Sequence, residues 1–194
     1  MSPAAYKMAS PLASNTSGFF FQLSRCVLLL LLLLTFIYPS YAQILAKPVL
    51  QNQLPASIDY KGNYFDAYKW KDTDGEHFVL RTISDPTPTP GYTAEESLFD
   101  QALYAYHFIV HNDSLQLTWK LQDFVKECGF DKTVEFLKNT FAVTDLDKNN
   151  TTEIWLMYKT ACRSDVSPAD LKIIMYQDTK KFAVRGTNKV KVSA

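Results

Sequence analysis

The chain lacks an excess of either charge: 20 Lys and Arg are matched by 20 Asp and Glu over 194 residues. A nucleic-acid binder would show a surplus of bases, so that class is excluded. Six Gly and nine Pro are too few for a collagen-like or low-complexity chain. The longest apolar run, Cys26 to Ile37, falls short of the roughly 20 residues that a membrane-crossing helix needs. Also missing are a glycine-rich phosphate loop, zinc-ligand spacing, a Ser-His-Asp order and a nucleophile elbow. Apolar and aromatic residues are plentiful instead. They make up 47% and 14% of the chain, with 13 Phe and 11 Tyr, a composition that folds and that favours strands.

The apolar run has the length of a secretory leader's core. Arg25 precedes it, and Ser40-Tyr41-Ala42 supplies small residues for cleavage before Gln43. Residues 1–42 therefore read as a signal peptide, and membrane contact is expected only through it, before cleavage; the alternative is an uncleaved anchor. Cys26 precedes the leucines of the apolar run, the wrong side for a lipid-attachment cysteine. The leader holds Lys7 and Arg25 and no acid, which leaves the remainder mildly acidic. Two cysteines remain, Cys128 and Cys162, and an even count in an exported chain points to a disulfide. Closing a loop of about 35 residues would stabilise the fold by about 3–4 kcal/mol.

Residues 43–56 read as an irregular lead-in, and 57–190 as a single mainly β domain of about eight antiparallel strands with little helix. Asn63 to Lys71 and Glu76 to Ile83 form a hairpin around the turn signal Asp72-Thr73-Asp74-Gly75. Three alternating prolines in Ser84 to Tyr92 make a loop, and Thr93 to Gln101 carries the capping pattern of a short helix. The clearest hairpin spans Leu103 to Gln122 around Asn112-Asp113. In its second arm Leu115, Leu117, Trp119 and Leu121 alternate with polar residues, which predicts one buried face. Val134 to Thr144, Glu153 to Thr160, Leu171 to Gln177 and Lys181 to Thr187 complete the set. Ser167 to Asp170 resembles a single helical turn. A full propeller needs four or more blades of roughly 40 residues, so a sandwich or curved sheet is expected.

The most specific constellation runs from Asp145 to Glu153. Asp145, Asp147, Asn149 and Glu153 place side-chain oxygens at positions 1, 3, 5 and 9, and the Thr151 carbonyl can add another. Calcium takes six to eight hard oxygen ligands, which such a loop can largely supply, so calcium is the expected cofactor. An EF-hand is excluded because its twelfth position is Leu156. The alternative is a solvated Asx-rich turn. On the loop after Cys162, Arg163 and Asp165 are a candidate binding feature, or an ion pair that holds the loop. His107 and His111 would lie roughly 13 Å apart on a strand, from about 3.3 Å per residue, and read as polar-face residues. His77 shows no partner in sequence. Tyr64, Tyr68 and Trp70 suit either sugar stacking or a core, the core being the default.

The segments KWKDTDGEHFVL (69–80), LYAYHF (103–108), WKLQDFVKEC (119–128), VTDLDKNNTTEIWLMYKTACRSDVSP (143–168) and FAVRGTNKV (182–190) resemble a small family of exported proteins of Gram-negative bacteria assigned to surface polysaccharide biosynthesis. The resemblance covers roughly residues 57 to 190 and is densest in the last third. Members of that family commonly carry Gly where this chain has Asn150. The resemblance implies a periplasmic or cell-surface location and a part in lipopolysaccharide or capsule production; it supplies no reaction. The expected function is non-enzymatic, through contacts with glycan or with polysaccharide-assembly proteins. The alternatives are a calcium-dependent carbohydrate-binding or adhesion module, and a glycan-acting hydrolase or transferase whose site forms only in the fold.

Overall fold

A computed structural model describes residues 43–93, 97–111 and 114–190. The leader and the Asn112-Asp113 turn lie outside them. The described chain is mainly β: twelve strands in two antiparallel six-stranded sheets, a single 3-10 turn at Gln51–Gln53, and no α-helix. The strands are β1 (Gln43–Ile44), β2 (Lys47–Pro48), β3 (Asn63–Lys71), β4 (Glu76–Ile83), β5 (Thr87–Pro88), β6 (Phe99–His111), β7 (Ser114–Cys128), β8 (Asp131–Phe136), β9 (Ala142–Thr144), β10 (Glu153–Arg163), β11 (Asp170–Gln177) and β12 (Lys180–Thr187). Four of these are only two or three residues long, so the expected eight are the substantial ones.

One sheet runs β2-β3-β4-β6-β5, with β7 also on β6. The other runs β1-β9-β10-β11-β12, with β8 also on β10. The lead-in is less irregular than its sequence suggests, because β1 joins one sheet and β2 the other. Val134 to Thr144 is not one strand. β8 and β9 occupy one lane beside β10, interrupted where Asn139 turns left-handed and Thr140 Oγ1 donates to the Leu137 carbonyl at 2.7 Å.

Two expected helical pieces are not found among the described residues. Phe99 and Asp100 pair with Pro88 and Thr87, so this end of the 93–101 segment is committed to the sheet; residues 94–96 lie outside the description. Between Ser167 and Asp170, the Ala169 N–H donates to Asn188 Oδ1 at 2.6 Å and its carbonyl accepts the Asn188 N–H at 3.0 Å. Pairing across the chain overrides the local capping pattern in both places.

The core lies between the sheets. Trp70, Val79, Leu103, Trp119 and Leu121 from one face meet Phe136, Ile154, Leu156, Tyr158, Ile174 and Tyr176 from the other. Trp119 stacks on Tyr176 with ring centroids 3.9 Å apart, and Lys172 Nζ donates to Asp123 Oδ2 across the gap at 2.6 Å. A second cluster covers the outer face of the first sheet, where Val49 and Ile58 pack on Phe78, Leu80, Tyr104 and Tyr106. That is why β4 and the middle of β6 are buried on both faces.

Cys128 and Cys162 form the disulfide, with an S–S distance of 2.09 Å and Cα atoms 5.7 Å apart. It ties the end of β7 to β10, and so one sheet to the other. Such a bond persists in oxidising, extracytoplasmic compartments. Among the described residues no helix is long and apolar enough to cross a membrane.

The inter-sheet core also holds a charge. Arg81 has no exposed surface; its Nε donates to Asp66 Oδ1 at 2.6 Å and its Nη2 bonds Asp66 Oδ2. Phe65 is the extra residue of a bulge in β3 that sets Asp66 opposite Arg81. The guanidinium carbon lies 5.2, 5.8, 4.9 and 5.4 Å from the ring centroids of Phe65, Tyr68, Phe136 and Phe141. These π faces compensate part of the cost of removing the cation from water.

Candidate functional site

The acidic loop joins β9 to β10 and folds on its own side chains. Asn149 N–H donates to Asp145 Oδ1 at 3.0 Å, Asn150 N–H to Asp145 Oδ2 at 3.3 Å, and Thr151 N–H to Asn149 Oδ1 at 2.7 Å. Lys148 and Asn150 adopt left-handed φ values of 57° and 65°. Asn150 thus takes the conformation for which glycine is commonly used, and Asn tolerates it better than most residues. Asp147 Oδ2 accepts from Asn149 Nδ2 and from Gln177 Nε2 on β11. Glu153 is buried at the start of β10, where its carboxylate accepts the Thr144 hydroxyl at 2.6 Å and the Leu146 N–H at 2.9 Å.

One ligand oxygen each from Asp145, Asp147 and Glu153 lies within 4.8 Å of the others, an acidic group that could hold a metal ion. Asn149 shares the loop and Thr151 ends it, so all five sequence-predicted positions sit in one turn. The donors are hard oxygens, with no His or Cys among them, which suits calcium or magnesium chemistry and not zinc or copper.

Arg163 and Asp165 do not pair with each other. Arg163 Nη1 bonds the Ser167 carbonyl, and Asp165 Oδ1 accepts the Ser167 N–H at 2.9 Å and also its hydroxyl. The Ser167 hydroxyl and N–H hold the Asp165 carboxyl below its usual range. Both residues hold the loop, and they do so through Ser167, which replaces the expected ion pair.

Sequence reasoning missed a second cluster, beside the acidic loop. A cleft of about 300 Å³ opens between the sheets, with Asp72, His77, His107, Thr118, Thr152 and Ile154 among its walls. His107 is buried instead of lying on a polar face, and its partner is His77: Nδ1 of His77 and Nε2 of His107 are 3.0 Å apart. On the far side of His77, Nε2 meets Asp72 Oδ1 at 2.7 Å; on the far side of His107, Nδ1 meets Thr118 Oγ1 at 2.5 Å. His111 is exposed at the end of β6 and takes no part. The Trp70 ring stacks over both imidazoles, 5.1 Å from His77 and 5.7 Å from His107, and Trp119 stacks on His107 at 5.1 Å.

A bulge creates this arrangement. His107 pairs with Trp119 and Phe108 with Leu117, which leaves Thr118 as the extra residue in β7. The bulge reverses the side-chain parity, so Trp119 and Leu121 point into the core while Leu117 is 53% exposed. The faultless alternation read from Leu115 to Leu121 therefore spans two faces.

Burial, with a smaller contribution from His77, pushes the His107 pKa down to about 3, so this imidazole is neutral at ordinary pH. Asp72 Oδ2 accepts the Thr152 hydroxyl at 3.3 Å and Oδ1 accepts the Asp74 N–H at 2.9 Å. With one proton on each imidazole the row can run Thr118 O–H to His107 Nδ1, His107 Nε2–H to His77 Nδ1, and His77 Nε2–H to Asp72. The Thr118 proton has a second acceptor in the His107 carbonyl at 3.1 Å. Asp72 and His107 occupy opposite nitrogens of His77 and do not converge on one point, so the row has the geometry of a hydrogen-bonded relay and not of a metal centre.

The two sites are joined. Thr73 Oγ1 donates to the Asn150 carbonyl at 3.4 Å, and Thr152 links the acidic loop to Asp72. Comparison of the chain with protein-family models, curated proteins and solved structures returns no match.

Proposed function

We propose that the protein works outside the cytoplasm as a glycan-contacting β-sandwich that supports surface polysaccharide biosynthesis, and that calcium occupies its acidic loop. The observation that carries the reading is the continuity of the Asp145/Asp147/Glu153 group with the cleft wall through Thr151 and Thr152. An ion in the loop would fix that wall, so ligand affinity in the cleft would depend on it. Calcium fits better than magnesium, because carboxylates, an amide and a carbonyl from one flexible loop match its variable coordination, whereas magnesium demands a near-ideal octahedron. The inter-sheet disulfide supports an extracytoplasmic setting. The process and the glycan or assembly-protein partners rest on the sequence resemblance of residues 57 to 190.

The test is a glycan array read with millimolar calcium and with chelator, alongside thermal midpoints under both conditions. Calcium-dependent binding and a raised midpoint are expected, since a ligand of the native state must stabilise it. Coincident midpoints remove the ion, and an empty array removes the glycan. A second reading, a glycan-acting hydrolase or transferase, is favoured by one specific feature, the hydrogen-bonded Asp72–His77–His107 row that ends in Thr118.

A further inference from the structure

We propose that the cleft is an esterase site, with Thr118 as the nucleophile that removes a small acyl group from a sugar hydroxyl. The inference rests on the glycan reading for its substrate and on the cleft's own geometry for its chemistry. Three features point to acyl transfer. The Thr118 hydroxyl lines the cleft and lies 2.5 Å from His107 Nδ1, within reach for a nucleophile and its base. His107 is in turn oriented by His77, and His77 by Asp72, each within hydrogen-bond distance. The bulge that aims Thr118 at His107 is the kind of irregularity that re-aims side chains at working sites.

The substrate class follows from the walls. Asp72, Asp74 and Asp178 line the cleft and no Lys or Arg does, which disfavours phosphate, sulfate and uronate groups. Asp72 is engaged by His77, Thr152 and the Asp74 N–H, so it is not available as one of a pair of glycosidase carboxylates. A hydroxyl nucleophile backed by an imidazole suits an uncharged ester. The cleft volume of about 300 Å³ lies at the lower end of ligand sites and suits an acetyl group with part of one sugar.

The steps balance without a cofactor. Thr118 Oγ bonds to the ester carbonyl carbon and the π pair moves onto the carbonyl oxygen. The hydroxyl proton passes to His107 Nδ1 while the His107 Nε2 proton passes to His77 Nδ1. Positive charge therefore appears on His77 against the Asp72 carboxylate and not on buried His107, whose low proton affinity makes it a conduit. Collapse breaks the bond to the sugar oxygen, which takes the proton returned through His107. Water then attacks the acyl-threonine by the same route, releasing the carboxylic acid and restoring the hydroxyl. Thr118 is the catalytic residue, His107 relays its proton and His77 holds it; Asp72 is a positioning residue.

The experiment measures hydrolysis of p-nitrophenyl acetate and of a peracetylated hexose by the full protein and by Thr118→Val, which keeps the side chain's shape. A loss of about 100-fold or more in kcat is expected, with Thr118→Ser retaining activity. Asp72→Asn should lower kcat with KM unchanged and alter the pH–rate profile, which a purely structural role would not do. If Thr118→Val does not fold, a fluorophosphonate probe on the unaltered protein replaces it, and the label must map to Thr118. Equal rates for Thr118→Val and the unaltered protein, or labelling elsewhere, overturn the proposal. Glycan bound on the array without Thr118-dependent hydrolysis ends the chemistry alone; Thr118-dependent hydrolysis with an empty array ends the glycan reading alone.

Discussion

Two polar clusters are buried between the same two sheets, and they differ in what surrounds them. The Arg81 guanidinium is closed in by four aromatic rings and has no exposed surface, while the side chain of its partner Asp66 is 25% exposed. His77, His107 and Asp72 are almost as deeply buried as Arg81, yet they border an open cleft and end in a half-buried hydroxyl. The sealed cluster neutralises a charge and fixes one arrangement of β3 against β4. The open one is a hydrogen-bonded row of ionisable groups along a cleft wall. Burial alone does not separate structural from functional polarity; the side left uncovered does.

The comparison is broken most severely at the sealed cluster. Asp66→Ala leaves the guanidinium buried without its counter-charge and should cost about 3–5 kcal/mol, read by urea unfolding. Replacing both partners together, as Arg81→Met with Asp66→Leu, should restore most of that loss. A double variant as unstable as Asp66→Ala would show that the pair contributes more than mutual neutralisation.

Acid sharpens the contrast. The folded-state pKa of His107 lies near 3, below the ordinary value of 6.5, so the unfolded chain binds the extra proton first. The contribution of neutral His107 is complete above about pH 6.5 and is lost as pH falls toward 3, by at most about 1.4 kcal/mol per pH unit. His107→Gln should flatten this part of the stability–pH curve, whereas Arg81→Met should leave its slope unchanged. Urea midpoints across that window decide it.

The smallest expected effect is at the acidic loop. Asp147→Asn should change stability in chelator by no more than about 0.5 kcal/mol, because Asp147 is exposed. The same variant should abolish the rise in thermal midpoint produced by calcium. A calcium response that survives it would remove Asp147 from the ligand set.

Legibility in the sequence followed distance along the chain. Asp145 to Glu153 is a single turn, so alternation alone identified the oxygens that the structure brings within 4.8 Å. The disulfide partners are 34 residues apart, but their even count in an exported chain marked them. His77 and His107 are 30 residues apart on β4 and β6, and their meeting depends on the strand register that pairs Val79 with His107. No local pattern encodes it. Thr118 was hidden for the opposite reason. The alternation around it is so regular that a bulge is invisible until Leu117 is found outside and Trp119 inside. The Arg81 cage depends on a second bulge, at Phe65, and was equally silent.

The order of the strands bears on how the polypeptide is made. Apart from β1, one sheet is built from residues 47–128 and the other from residues 131–187. A ribosome delivers the amino-terminal sheet in full before most of its neighbour exists. Until β10 and β11 emerge, Val79, Leu103, Trp119 and Leu121 present a bare apolar surface, and Cys128 has no partner to oxidise with. The half-synthesised chain is therefore the species most exposed to aggregation and most dependent on chaperones.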